Sequence, residues 1–267
     1  MGRRVRYGAR TPDELQNREV KATSVGAWST SLTASYETDP EVVAAVLPRP
    51  LEPTDQPLVR ISVARVDLGG GYLPFGAGTV AVQARHDGTV GNYPLVMPMT
   101  TEQSVIGGRE TFGEPKKLAQ VTLERDGDGD GGTVTGRITR MGVTFVEVTG
   151  RVGAPLDPPD DQERVDFYFK FLPAPDGKGF DAEPSLVYCH RTETYRSLAP
   201  VDGAVTLTES RFDPVADLPV RRLVSLTLSE RRAVQRGEIV TQVPGEWLLP
   251  FVHQRYDDLS PLGNGDD

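Results

Sequence analysis

Apolar and polar residues alternate through much of the chain. Leu58 to Val66 reads L-V-R-I-S-V-A-R-V, Thr79 to Ala84 reads T-V-A-V-Q-A and Val143 to Val148 reads V-T-F-V-E-V, each rich in β-branched residues. A period of two sends successive side chains to opposite faces of an extended backbone, so each stretch predicts a strand. Thr30–Tyr36, Val121–Arg125, Thr133–Arg140, Val165–Leu172, Leu186–Tyr195, Ala204–Arg211 and Arg222–Leu228 repeat the signature, giving about ten strands. One helix is marked: Asp39 is suited to cap it, Pro40 to begin it and Glu41 to face its positive end, and Val42–Leu47 runs on until Pro48 stops it. Barely two turns long, it is too short for a crossover, and no strand-helix alternation follows. A doubly wound nucleotide-binding fold is therefore disfavoured, and a mostly β (α+β) chain, barrel or sandwich, is expected.

Glycine (28) and proline (22) are spread throughout, as turns between short strands require. With no long linker, and Pro155–Gln162 as a surface connection, residues 1–267 are expected to form a single domain whose ends, about 1–28 and 259–267, are peripheral. The formal net charge of -9 argues against nucleic acid as a partner, which calls for clustered Lys and Arg. Cys189 is the only cysteine, so no intrachain disulfide can form and a reducing, cytoplasmic setting is expected. The longest apolar run, Val42–Leu47, is far shorter than the roughly 20 residues of a membrane span. The start lacks the apolar stretch of a signal peptide, and Arg6 stands where a myristoylation signal wants Ser or Thr.

Several motifs fail on inspection. Asp126-Gly-Asp-Gly-Asp-Gly131 opens like an EF-hand loop, but its twelfth position is Arg137 where a bidentate Glu is needed, so a hairpin turn is expected. Gly69, Gly70, Gly71, Gly76 and Gly78 lack the spacing of a phosphate loop and no helix follows them. His86, His190 and His253 lie far apart, Cys189 and His190 fall on opposite strand faces, and no G-x-S-x-G elbow exists.

The stretch Gly107 to Ala119, G-G-R-E-T-F-G-E-P-K-K-L-A, does carry chemistry. It resembles the acetoacetate decarboxylase family, whose signature is G-R-E, a short spacer and P-K-K-L. The likeness extends through T-D-P-E, L-P-R-P-L and P-L-V-R between Tyr36 and Val63, through Glu102, and through P-V-A-D-L-P-V after Asp213, from about Ser29 to about Trp247. The resemblance implies an antiparallel β-barrel with a few short helices, a homo-oligomer, and a small keto acid as partner with no metal or organic cofactor. It implies that Lys116 is the amine that condenses with a ketone, and that Lys117 is the neighbour whose charge helps keep that amine neutral. An ordinary lysine is protonated at neutral pH and a poor nucleophile. Burial or a nearby cation disfavours the ammonium form.

The chain also departs from the family pattern. Ser29 stands where the decarboxylases have an arginine, Ser62 where they have a first glutamate, and Phe75–Gly78 (F-G-A-G) offers no second glutamate. The departures point to members that act on 2-oxo acids by aldol, retro-aldol or dehydration chemistry, as in secondary metabolism. Decarboxylation of acetoacetate or another β-keto acid is the alternative, and a non-catalytic small-molecule-binding protein the second. Glu114 either replaces the missing acid or is an exposed turn carboxylate. Phe112, Tyr93 and Met97 form either the apolar wall around the amine or ordinary core, Ser62 faces the substrate, and Glu102 and Glu110 are expected to partner Arg109.

Overall fold

The computed structural model describes residues 5, 7–12, 27–69, 73–127 and 131–257. In chain order the elements are β1 (Trp28–Glu37), α1 (Pro40–Val46), β2 (Glu52–Pro53), β3 (Leu58–Asp67), β4 (Phe75–His86), β5 (Thr89–Met99), α2 (Glu102–Phe112), β6 (Lys116–Leu118), β7 (Gln120–Asp126), β8 (Thr133–Arg140), β9 (Val143–Val152), β10 (Gln162–Lys170), β11 (Ser185–Leu207), β12 (Arg222–Gln242) and α3 (Val252–Arg255). Seven strands close a barrel in the order β10-β5-β4-β3-β1-β12-β11, and β11 returns to β10. The pairs around this ring are antiparallel except β10–β5, which is parallel through Asp166 and Asn92, so the barrel is mixed and mostly antiparallel. The far end of β11 leaves the barrel and pairs with β9, which continues through β8 to β7 as a second sheet. Among the described residues no helix is long and apolar enough to cross a membrane.

The alternation that predicts the strands has an unusual polarity. On β3, Val59, Ile61 and Val63 are fully buried in the hydrophobic core, while Arg60, Ser62 and Ala64 line the barrel interior. On β1, Leu32, Ala34 and Tyr36 face the core, and Ser29 and Ser31 face inward. The core therefore lies outside this wall, where β1, β3 and β4 meet Val134, Ile138, Phe145, Val146 and Val148 of the second sheet. Each such side chain contributes about 1.5–3 kcal/mol through burial. At Gly136 an added Cβ would come within 2.8 Å of Val63, so the second sheet lies close against β3 only because that position is glycine.

Several local expectations are revised. Asp39 does occupy the N-cap of α1, but its carboxylate accepts bonds from Arg221 Nε (2.8 Å) and Nη2 (2.6 Å) and gives the helix no side-chain cap. The stretches Leu186–Tyr195 and Ala204–Arg211 belong largely to one long strand, β11, with an irregularity between Tyr195 and Ser197. β5 escaped the pattern because Gly91, Pro94 and Pro98 look like turn residues; Pro94 sits beside a bulge at Val80/Ala81, where a strand tolerates it. Around the acidic glycine run, Asp126 pairs with Thr133 in the expected hairpin, with residues 128–130 outside the described residues. Gly70 and Gly71, and most of the two chain ends expected to be peripheral, also lie outside them.

Candidate active site

The inward faces of the barrel strands enclose a cavity of about 720 Å³. Thr101 to Phe112 caps one end through α2, a helix that stops at Gly113, where φ is +81° and the N–H returns to the Arg109 carbonyl. Glycine is required there: besides the left-handed backbone, a Cβ would meet Lys170 Cα and Phe169 O at 2.6 Å. The chain then turns through Glu114 and Pro115 into β6, which pairs with β5 at Met97–Lys116. Period-two alternation sends Glu114 and Lys116 together into the cavity and Lys117 the other way.

Glu114 Oε2 lies 2.7 Å from Lys116 Nζ. The carboxylate is 1% exposed, which removes the reading of Glu114 as an exposed turn residue. Oε2 accepts no aligned hydrogen bond, so the lysine is a close ionic neighbour rather than a hydrogen-bond donor. Gly108 makes the approach possible, because a Cβ there would collide with Glu114 Oε2 and lie 2.5 Å from Lys116 Nζ. The other oxygen, Oε1, is 3.2 Å from Arg191 Nη2. Arg191 continues the chain of contacts to Asp166 (2.6 Å), the Tyr168 hydroxyl (3.1 Å) and Gln235 (2.5 Å). Beyond it Arg164 joins Asp166 to Glu193, and Arg231 holds Glu193 at 3.1 Å and Ser62 Oγ at 3.4 Å.

These contacts fix the charge state of the wall. Burial alone would push Asp166 up, but the guanidiniums of Arg164, Arg191 and Arg60 outweigh it and hold the acid at about 2. For Glu193, burial is likewise overcome by Arg231, Arg164 and Arg60, leaving it at about 2. Burial, reinforced by Asp166, raises the Tyr168 phenol well above its ordinary value. Both carboxylates lie below their unfolded values of about 4, so their stabilisation is present at neutral pH and is lost as pH falls from about 4 through about 2. The expected result is a melting temperature that drops steeply across that window, with a shallower drop in Asp166→Asn measured beside wild type.

The structure places Met97, Phe112 and Ser62 on the cavity wall. Met97 and Phe112 pack with Met99, Tyr168, Val187 and Cys189. Burial pushes the Cys189 thiol up to about 11, so it is inert at neutral pH. Ser29 also lines the cavity and donates to the Arg231 carbonyl at 3.1 Å. Tyr93 does not join this wall: its hydroxyl donates to Gln254 Oε1 (2.7 Å) and its ring packs edge-on to Phe169, 6.0 Å between centroids, so its role is structural. Lys117 departs further from expectation. Its Nζ contacts Asp257 (3.0 Å), Asp213 (3.3 Å) and the Phe212 carbonyl (3.3 Å), and Arg140 binds the same two carboxylates, so its charge is spent outside the cavity. Glu102 and Glu110 are exposed on α2, and Arg109 donates instead to the carbonyls of Lys116 (3.1 Å) and Arg255 (3.2 Å). Among the described residues, no three His, Cys, Asp or Glu side chains gather where a metal ion could sit.

The arrangement offers an amine beside a carboxylate in a partly apolar pocket whose remaining wall is cationic. Residues 10–243 match the acetoacetate decarboxylase family. An acetoacetate decarboxylase from Burkholderia vietnamiensis is 31% identical over 202 residues, covering 71% of this chain and 76% of that protein. Among solved structures, an acetoacetate decarboxylase-like enzyme from Sphingomonas wittichii RW1 aligns with a TM-score of 0.71 at 17% identity, over 82% of this chain and 93% of the other. The enduracididine biosynthesis enzyme MppR, complexed with pyruvate, aligns with a TM-score of 0.68 at 16% identity, over 81% and 90%. At such identities the structural likeness concerns the fold.

Proposed function

Because the chain belongs to the acetoacetate decarboxylase family, we propose that it is a lysine Schiff-base lyase acting on a 2-oxo acid or related keto acid by aldol, retro-aldol or dehydration chemistry. The observation that carries this reading is the pair Lys116–Glu114, 2.7 Å apart at the wall of the barrel cavity. Glu114 takes the ammonium proton, and the freed amine attacks the ketone carbon. The adduct's nitrogen passes a proton to the former carbonyl oxygen, giving a carbinolamine, and Glu114 then returns its own proton so that this oxygen leaves as water. The resulting iminium withdraws electrons from the adjacent carbon, so loss of a proton there gives an enamine nucleophile. Hydrolysis of the final imine restores Lys116. The pyruvate in the structurally similar MppR is consistent with a 2-oxo acid.

Decarboxylation of acetoacetate or another β-keto acid is the second reading, favoured by the name of the Burkholderia relative. Against it stand Ser29 and Ser62 on the cavity wall and the absence of a carboxylate at Phe75–Gly78. Asp166 and Glu193 do not substitute as proton donors, since their arginines hold them ionised.

Borohydride trapping separates these readings. Wild-type protein is incubated with pyruvate, 2-oxobutyrate or acetoacetate, reduced, and read by intact mass and peptide mapping. A substrate-sized adduct on Lys116 is expected, strongest with a 2-oxo acid. Strongest labelling by acetoacetate with release of CO2 would favour the decarboxylase, and no adduct with any of the three would leave a binding protein. Gly108→Ala provides an independent test of the geometry. The added methyl displaces the Lys116–Glu114 pair, and an error of about 1 Å in reacting groups costs about 10²-fold in kcat. A kcat within threefold of wild type would contradict that requirement.

A further inference from the structure

Charge inside the barrel does not balance. Arg60, Arg164, Arg191, Arg231 and Lys116 face Glu114, Asp166 and Glu193, five cations against three anions, in a chain whose net charge is -9. Arg191 and Arg231 are committed to carboxylates, hydroxyls and amides of the wall. Arg164 uses Nη2 on Glu193 (3.2 Å) and Asp166 (3.5 Å) and holds Nε 3.4 Å from Asp166 Oδ1 as an ion pair, but buried Nε and Nη1 donate no aligned hydrogen bond, and Nη1 has no ion pair with a described residue either. Arg60 forms no hydrogen bond or ion pair with any described residue. Burial, with Arg164 and Arg231 nearby, works against its charge, and Glu193 and Asp166 offset this only in part. An arginine so placed keeps its proton by taking an anion, since guanidinium resists deprotonation and its donors match a carboxylate in pairs.

We infer that Arg60 and Arg164 form a second anion subsite inside the barrel, and that the substrate is a keto acid bearing a further, remote carboxylate. The substrate class, though not the subsite, rests on the Schiff-base reading of Lys116. The register supplies the spacing. Arg60 lies opposite Ala81, which lies opposite Pro94 on β5, whereas Lys116 pairs with Met97 on the same strand. The three-residue step from Pro94 to Met97 offsets the two ends by about 10 Å along the strand direction. Between them the wall carries Ser62, Thr79, Ala77 and Ala81, small side chains that leave room for a carbon chain. A ketone condensed at Lys116 thus directs its far carboxylate toward the guanidiniums of Arg60 and Arg164.

The test uses glutarate and pentanoate, saturated acids of equal chain length that cannot form an imine. Their binding is measured by calorimetry on the full chain, as wild type and as Lys116→Ala. Glutarate is expected to bind at least about tenfold more tightly than pentanoate in both proteins, as one charge-assisted contact allows. That preference should fall at least about tenfold in Arg60→Gln and return in part in Arg60→Lys. No preference for glutarate in wild type, or one that persists in Arg60→Gln with unchanged melting temperature, overturns the subsite. If Arg60→Gln does not fold, a preference in Arg60→Lys equal to that of wild type across a tenfold change in salt overturns it. Because neither acid can form an imine, failure of borohydride trapping and failure of the subsite remain separate results.

Discussion

Lys116→Ala should abolish the borohydride-trapped adduct and lower kcat/KM by about 10⁴-fold or more, the scale seen when an enzyme loses its covalent nucleophile. The fold should survive. Glu114 keeps its second oxygen 3.2 Å from Arg191, so the deletion leaves a carboxylate that has lost one cation rather than all of its support, at a cost of about 1–3 kcal/mol. A loss of activity from misfolding would appear in the melting temperature and near-ultraviolet circular dichroism. The decisive companion is Lys116→Arg. It retains the positive charge beside Glu114 but offers no amine that is neutral at any working pH. If charge alone mattered, Lys116→Arg would work; with a Schiff base it is as inactive as Lys116→Ala, and turnover within tenfold of wild type would eliminate the covalent mechanism.

The second large effect is expected at Glu114. Glu114→Gln preserves the shape of a side chain that is 1% exposed while removing its capacity to carry a proton. General acid-base groups contribute about 10²–10⁴-fold, and kcat should fall by that factor. The adduct should still form on prolonged incubation, because Lys116 is intact, but imine formation and hydrolysis should both be slow in stopped-flow traces. KM should change much less than kcat. A purely supporting role would give the reverse: a lowered melting temperature, with kcat within tenfold of wild type in the surviving protein.

The fold was legible in the chain for a simple reason. Period two announces a strand whichever face is polar, so β1, β3 and β7 to β9 could be recognised before it was known that the barrel turns its polar side inward. Elements whose residues serve a second purpose were harder to see. Helix α2 carries Gly107 and Gly108, which weaken its helical pattern, and the structure shows Gly108 yielding space to Lys116 and Glu114. The second half of β12 sends Arg231, Ala233 and Gln235 into the cavity and so lacks the apolar rhythm of its first half.

The same division runs through the candidate site. Lys116, Glu114 and Phe112 belong to one contiguous motif, and a short stretch of sequence suffices to find them. Arg60, Arg164, Asp166, Arg191, Glu193 and Arg231 sit on four strands and converge only when the barrel closes. A local trace, a charge between apolar neighbours, exists for Arg60 between Val59 and Ile61 and for Asp166 between Val165 and Phe167, whereas Arg191, Glu193 and Arg231 stand among polar residues and leave none. Lys117 shows the limit of adjacency as a guide: next to Lys116 in sequence, it is turned by the strand to the opposite face, where it ties Asp213 and Asp257 together.

Because the core lies outside this part of the barrel wall, residues that choose a ligand and residues that hold the fold occupy alternate positions of the same strands. On β3 the even positions 60, 62 and 64 face the cavity, and the odd positions 59, 61 and 63 pack in the core. Point substitutions can therefore retune the pocket while leaving the packed face untouched. A single-residue insertion in the strand is a different event: it would exchange the two faces at once, driving Arg60 toward the packed side and Ile61 into the polar cavity. A lineage carrying this architecture is free to explore new substrates by substitution, but closed to doing so by changing the length of its wall strands.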